Sequence, residues 1–242
     1  MGDVIQAPAV PRVPVLIDGN ASSEHFPVRR IYCVGRNFAD HAREMGAVAP
    51  ASREARGQPV FFLKPADAIV IDGQVPYPPG TRELHHEVEL VVALGADAPT
   101  GVLDPADAGA LVYGYALGLD LTRRDLQAAA KAKGLPWDTG KSFDHAAPIG
   151  ALCPATTLGP LDGRAIRLEV NGELRQQGSL DDLIWTVPEI LHELSRLYAL
   201  RAGDLVFMGT PAGVGPLQPG DRFEATLDGL PSLSGRILPA TG

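Results

Sequence analysis

Cysteine is scarce in this chain. Its 242 residues hold two, Cys33 and Cys153. They make no CxxC pair, no disulfide framework and no four-ligand zinc site, so free buried thiols in a reducing compartment are expected. Long apolar runs are missing as well. The strongest lies near Leu90–Leu94, far short of the ~20 residues that cross a bilayer, and a membrane protein is not expected. Positive charge is in deficit: 21 Lys and Arg against 29 Asp and Glu leave a net charge of −8. That disfavours nucleic-acid binding, which runs on clustered Lys and Arg. The N-terminus shows no basic segment followed by an apolar one, so no secretory signal is visible. Asn20-Ala21-Ser22 is then a chance match to the glycosylation pattern, and the cytoplasm is the expected location. Aromatic residues are only 6%, but 45% hydrophobic and 21% charged residues exclude a disordered chain.

What is plentiful is punctuation, with 27 glycines and 22 prolines. This favours many short strands joined by tight turns over a helix bundle. Residues 1–28, with Pro8, Pro11, Pro14 and Pro27, read as an extended lead-in carrying an edge strand at Val13–Ile17. Residues 29–242 read as a single catalytic domain, mostly β with short helices (α+β). Strands are expected at Ile31–Val34, Val60–Leu63, His86–Leu94, Tyr113–Leu121, Asp204–Met208, Arg222–Thr226 and Gly235–Leu238. Asn171-Gly172 marks a hairpin between Ile166–Val170 and Glu173–Gln176. Helices are expected at Phe38–Met45, at Thr122–Lys133 with Thr122 as cap and Asp125 closing a capping box, and from Thr186 to about Tyr198 with Glu189 in the box. Ala47–Gln58 lacks periodicity and reads as a long loop of the kind that forms lids.

The segment Leu84–Leu90 carries the densest chemistry. Glu87 and Glu89 are two apart on a strand and point the same way. Beside Val88 and Leu90 such a pair calls for a cation, and hard oxygen ligands suit Mg²⁺, Mn²⁺ or Ca²⁺. A solvent-facing strand edge remains the plain alternative. His85 and His86 are neighbours on a strand, face opposite ways and do not converge on a zinc ion. Asp120 ends a strand, where it is either a further ligand or a turn residue. His41 and Glu44 are three apart on a short helix, the spacing of a base and its orienting carboxylate, and equally of an ordinary surface pair. Met208–Gly215 is neither a Walker loop nor a dinucleotide fingerprint. It offers backbone N–H groups and the Thr210 hydroxyl to a carboxylate.

Taken in order, Val34–His41, Pro59–Pro65, Leu84–Leu90, Leu119–Gln127, Gly134–Trp137, Lys141–Phe143, Val170–Glu173, Gly209–Pro211 and Gly213–Gly215 closely resemble the fumarylacetoacetate hydrolase family, in its small acylpyruvase and oxaloacetate decarboxylase branch. The resemblance runs from about Ile31 to Leu238. It implies a mixed β-sheet roll, usually dimeric, and a Mg²⁺ or Mn²⁺ ion on Glu87, Glu89 and Asp120. It further implies a catalytic dyad of His41 and Glu44, an active-site Lys141, a mobile lid at Gly46–Gln58, and Gln127, Thr210 and Arg36 beside a bound oxo-acid. Arg124 falls in the same motifs without a clear role. The implied reaction is hydrolysis of an acylpyruvate, such as fumarylpyruvate, to pyruvate and a carboxylic acid. Oxaloacetate decarboxylation, and hydration or isomerisation of 2-oxo-alkenoic diacids in aromatic breakdown, are the alternatives.

Overall fold

The computed structural model describes residues 4–17, 19–44 and 55–240. Most of the lid expected at Gly46–Gln58 lies outside them, as does Met45.

A six-stranded mixed sheet forms the centre. Its order is Cys153–Pro154, Val112–Leu119, Val88–Leu94, Asp204–Phe207, Arg30–Gly35, Val60–Lys64. Asp204–Phe207 runs parallel to Arg30–Gly35 and antiparallel to Val88–Leu94. Val88–Leu94 and Asp204–Phe207 are buried along their whole length. Such strands read as near-continuous apolar runs, because both faces need covering. A five-stranded sheet, ordered Glu173–Ser179, Ala165–Val170, Arg222–Leu227, Leu233–Leu238, Gln74–Pro76, packs against it. Here burial alternates: Phe223, Ala225 and Leu227 face the core while their neighbours face solvent. The expected hairpin is present, with Asn171 and Gly172 at φ +55° and +81°, the left-handed pair that a tight two-residue turn requires.

The central sheet curls into a roll. Lys64 sits on one edge strand, yet its Nζ lies 2.8 Å from Asp120 Oδ1, at the end of a strand with three others between. This curl turns the ends of distant strands toward one interior point.

Four expectations are corrected by the structure. The run His86–Leu94 is not one half-buried strand. It breaks at Glu87, so that Leu84–His86 joins a separate three-stranded sheet with Thr122–Arg123 and Gly215–Leu217. Thr122 does not cap a helix; it pairs with His85, and the helix is Arg124–Lys133 with no side-chain cap. The Thr122 hydroxyl is already engaged by Asp120 O and Lys141 Nζ, and Asp125 binds Thr81 Oγ1 and the Arg82 amide instead. The lead-in holds a hairpin of Arg12–Ile17 and Asn20–Pro27, with Val13, Val15 and Phe26 buried. The helix opened by the Thr186–Glu189 capping box is present but ends at Ser195. No helix among the described residues is long and apolar enough to cross a membrane.

Candidate metal centre and active site

The ladder itself brings the three acids together. Val88 pairs with Leu119, and the next amide, Asp120 N, donates to Glu87 O at 2.8 Å. Glu87, Glu89 and Asp120 each place a carboxylate oxygen within 4.8 Å of the others, and all three are buried. His85 and His86 stand outside this group; His86 Nδ1 instead lies 2.8 Å from Gln176 Oε1.

Three cations answer the three acids. Lys141 Nζ donates to Glu87 Oε2 and Asp120 Oδ2, both at 2.6 Å, and to Thr122 Oγ1 at 2.7 Å. Its three protons are therefore all committed. Arg124 pairs with Glu87 Oε1, and Lys64 lies against Asp120. Burial alone would push the Glu87 carboxyl up, but Lys141 and Arg124 outweigh it and hold it well below the usual range. The same acids hold the Lys141 ammonium up against its own burial. Glu89 is different. Burial first, then the neighbouring Asp120 and Glu87, push its carboxyl well up, and it accepts a hydrogen bond from the Gly209 amide at 2.7 Å. A buried carboxylate facing two others stays charged only beside an added cation. The cluster therefore fits a hard divalent ion, which oxygen ligands suit.

On the same pocket opens His41, whose Nδ1 lies 3.1 Å from Glu44 Oε2. With that nitrogen committed to a carboxylate, Nε2 is the acceptor. Glu44 is fixed in turn by the Gly213 amide at 3.1 Å. The glycine-rich stretch offers its amides to carboxylates as expected, and the carboxylates are the protein's own Glu89 and Glu44. Both glycines are at φ +96°, and a Cβ on Gly213 would stand 2.1 Å from Arg175 O, so only glycine fits there.

The remaining expected residues, Gln127, Thr210 and Arg36, line the pocket too. Gln127 Oε1 accepts from Arg124 at 2.6 Å. Two contributors were missed in the sequence. Lys64 follows directly on the apolar run Val60–Leu63 and carries no local sign of its role. Gln176 is buried and uses its amide fully. Its Oε1 accepts from Val88 N at 3.1 Å, and its Nε2 donates to Thr210 Oγ1 at 2.7 Å and Pro211 O at 2.8 Å. Gln176 faces the core residue Leu168 only because the hairpin shifts register between Leu168 and Glu169, so the sequence carries no signal for it.

Comparison with known proteins finds close relatives of the whole chain. The model of the fumarylacetoacetate (FAA) hydrolase C-terminal family matches residues 30–238. The crystal structure of fumarylpyruvate hydrolase from Pseudomonas aeruginosa in complex with Mn²⁺ and pyruvate superposes with a TM-score of 0.88 at 46% identity, covering 98% of this chain and 100% of that one. The mitochondrial oxaloacetate tautomerase FAHD1 of Bos taurus is 41% identical over 210 residues, 86% of this chain and 91% of its own. The mitochondrial oxaloacetate decarboxylase of Dictyostelium discoideum is 37% identical over 204 residues, 84% of this chain and 90% of its own.

Proposed function

The chain belongs to the fumarylacetoacetate hydrolase family, and from that premise we propose that it is a metal-dependent C–C hydrolase cleaving acylpyruvates, such as fumarylpyruvate, to pyruvate and a carboxylic acid. The observation that carries this reading is that His41, oriented by Glu44, opens on the same pocket as the three buried carboxylates.

In this reading Glu87, Glu89 and Asp120 hold Mg²⁺ or Mn²⁺, and the bound ion supplies Lewis-acid polarisation of the substrate's carboxylate and 2-oxo oxygens. Thr210 anchors the oxo-acid. Gln176 donates to its oxygen, which leaves the Thr210 proton to donate to a substrate carboxylate. Gln127 and Arg36 flank the same ligand. His41 Nε2 takes a proton from water, and the water oxygen bonds to the C4 carbonyl carbon. The C3–C4 bond then breaks, its electron pair passing to the pyruvate fragment as an enolate. His41 returns the proton to C3. Lys141, its protons committed, stabilises the enolate by its charge, an effect that a buried site strengthens. The relatives named for oxaloacetate support a second reading, in which the same site decarboxylates or tautomerises oxaloacetate. The dyad favours hydrolysis over decarboxylation, which needs no attacking water.

The same reading takes residues 29–242 as one catalytic domain acting in the cytoplasm as a homodimer. Light scattering should then give about twice the 25.5 kDa of one chain. The functional test is pyruvate release, followed by coupled lactate dehydrogenase, from fumarylpyruvate and acetylpyruvate with Mg²⁺. Release that chelator abolishes and Mg²⁺ restores is expected. Turnover of oxaloacetate alone would replace the first reading with the second.

A further inference from the structure

At the centre three acids face three cations, yet the pocket carries more positive charge beyond it. Lys131 and Arg36 also line it. Among the described residues neither takes part in a salt bridge, although ion pairs tie down Arg124, Lys64 and Lys141 nearby. In a chain of net charge −8, two unmatched cations at one pocket are a local excess. Neither is placed by accident. Lys131 lies on the helix Arg124–Lys133, seven residues after Arg124 and four after Gln127, so the three share one face. Its ammonium sits 4.9 Å from the centre of the Trp137 ring. Arg36 holds φ +60°, a left-handed conformation that costs a long side chain energy and is retained where placement matters.

We propose that the outer end of the pocket is a second anion subsite, in which Lys131 and Arg36 receive the distal carboxylate of a long dicarboxylic 2-oxo acid. The proposal rests on the oxo-acid reading above and adds to it the class of acyl group accepted. The helix supplies a ruler. Arg124 touches Glu87 at the centre, and Lys131 stands about 10 Å further along the axis at ~1.5 Å per residue. Three bonds of an extended chain span about 3.6 Å. The carboxyl carbons of oxaloacetate are three bonds apart and fall well short of Lys131. Those of a seven-carbon 2,4-dioxo diacid, six bonds and about 7 Å apart, come within reach of a lysine side chain. Burial, then Arg124 and Arg36, lower the Lys131 ammonium to about 8. A carboxylate bound there relieves this destabilisation.

A matched pair of ligands that cannot be hydrolysed tests the subsite without turnover: 2-oxopimelate, whose carboxyl carbons are also six bonds apart, and 2-oxoheptanoate of equal carbon count but without the second carboxylate. Each is titrated calorimetrically into the Mg²⁺-loaded protein and its Lys131→Met and Lys131→Arg variants, with melting temperatures checked first. The wild type should bind 2-oxopimelate at least about tenfold more tightly, the effect of one charge-assisted hydrogen bond. Lys131→Met should shrink that ratio to about threefold or less, and Lys131→Arg should preserve most of it. Equal binding of both ligands by the wild type, or an unchanged ratio in Lys131→Met, overturns the subsite and leaves the oxo-acid reading standing. Failure of the wild type to bind either ligand in the presence of Mg²⁺ overturns the oxo-acid reading and the subsite together.

Discussion

Gln176→Met gives the most informative structural perturbation, because methionine matches the length of glutamine but makes none of its hydrogen bonds. The native amide serves Val88 N and Pro211 O on the backbone, and His86 and Thr210 among side chains. The two backbone groups lose their partner in a buried place, at about 1–3 kcal/mol each. The loss of about 2–6 kcal/mol is a large share of a typical total stability of about 5–15 kcal/mol. For a chain of this size each kcal/mol moves Tm by about 2–4 °C, so a fall of about 4–24 °C is expected by calorimetry. The same substitution removes the donor that turns the Thr210 hydroxyl toward the ligand. KM for the oxo-acid should rise about five- to tenfold beyond any change in kcat, as expected when a hydrogen bond to a charged group is weakened. Thr210→Val should raise KM at least as much, and the double variant should show no further rise, since Gln176 is held to act on binding through Thr210. A drop in stability below about 1 kcal/mol would refute the hydrogen-bond inventory. Additive effects of the two substitutions on KM would refute the relay.

Three other outcomes are expected. Glu87→Gln, Glu89→Gln and Asp120→Asn should each weaken Mg²⁺ binding in calorimetric titration and abolish turnover, because each removes a charged oxygen ligand; unchanged affinity in any of them removes that residue from the ligand set. Mg²⁺ should raise the wild-type Tm and excess chelator should lower it, since a ligand of the native state stabilises by mass action, and a Tm indifferent to Mg²⁺ would argue against the site. At Glu189 burial would raise the carboxyl, but Arg56 and the Thr186 amide and hydroxyl hold it down at about 2 from 4.5. Its stabilisation is therefore complete above about pH 4.5 and lost as pH falls toward 2, and urea titrations of Glu189→Gln should differ from wild type at pH 7 but converge near pH 2.

The sequence makes some features legible and hides others for definite reasons. Asn171-Gly172 and the Thr186–Glu189 box are local signals whose geometry depends on a few adjacent residues, and both appear where expected. The break within His86–Leu94 is hidden, because it is set by the pairing of Leu84–His86 with Thr122–Arg123 and Gly215–Leu217 from far along the chain. The hairpin Arg12–Ile17 and Asn20–Pro27 is half legible: its first strand overlaps the expected edge strand Val13–Ile17, while the second lacks a clear apolar alternation. Thr122 resembles a helix cap by spacing, but its hydroxyl is taken by Lys141, a contact made only when the chain is folded. The three acids became a set only through the order of several motifs; spacing alone left each with an ordinary explanation. Lys64 and Gln176 could not be placed, because the curl of the sheet and the pairing of Glu173–Ser179 bring them in from far along the chain.

The central claim is that His41 activates water at a metal centre it does not help to build. Steady-state pyruvate release from fumarylpyruvate by wild type and His41→Ala, with Mg²⁺ affinity of each measured calorimetrically, tests it directly. Rate should fall by at least about 100-fold, the lower range for loss of a general base, while Mg²⁺ affinity stays nearly unchanged, and oxaloacetate decarboxylation, where present, should fall less. Undiminished hydrolysis by His41→Ala would contradict the assignment of the dyad, and equal loss of both activities with the metal still bound would contradict the division between water activation and enolate stabilisation.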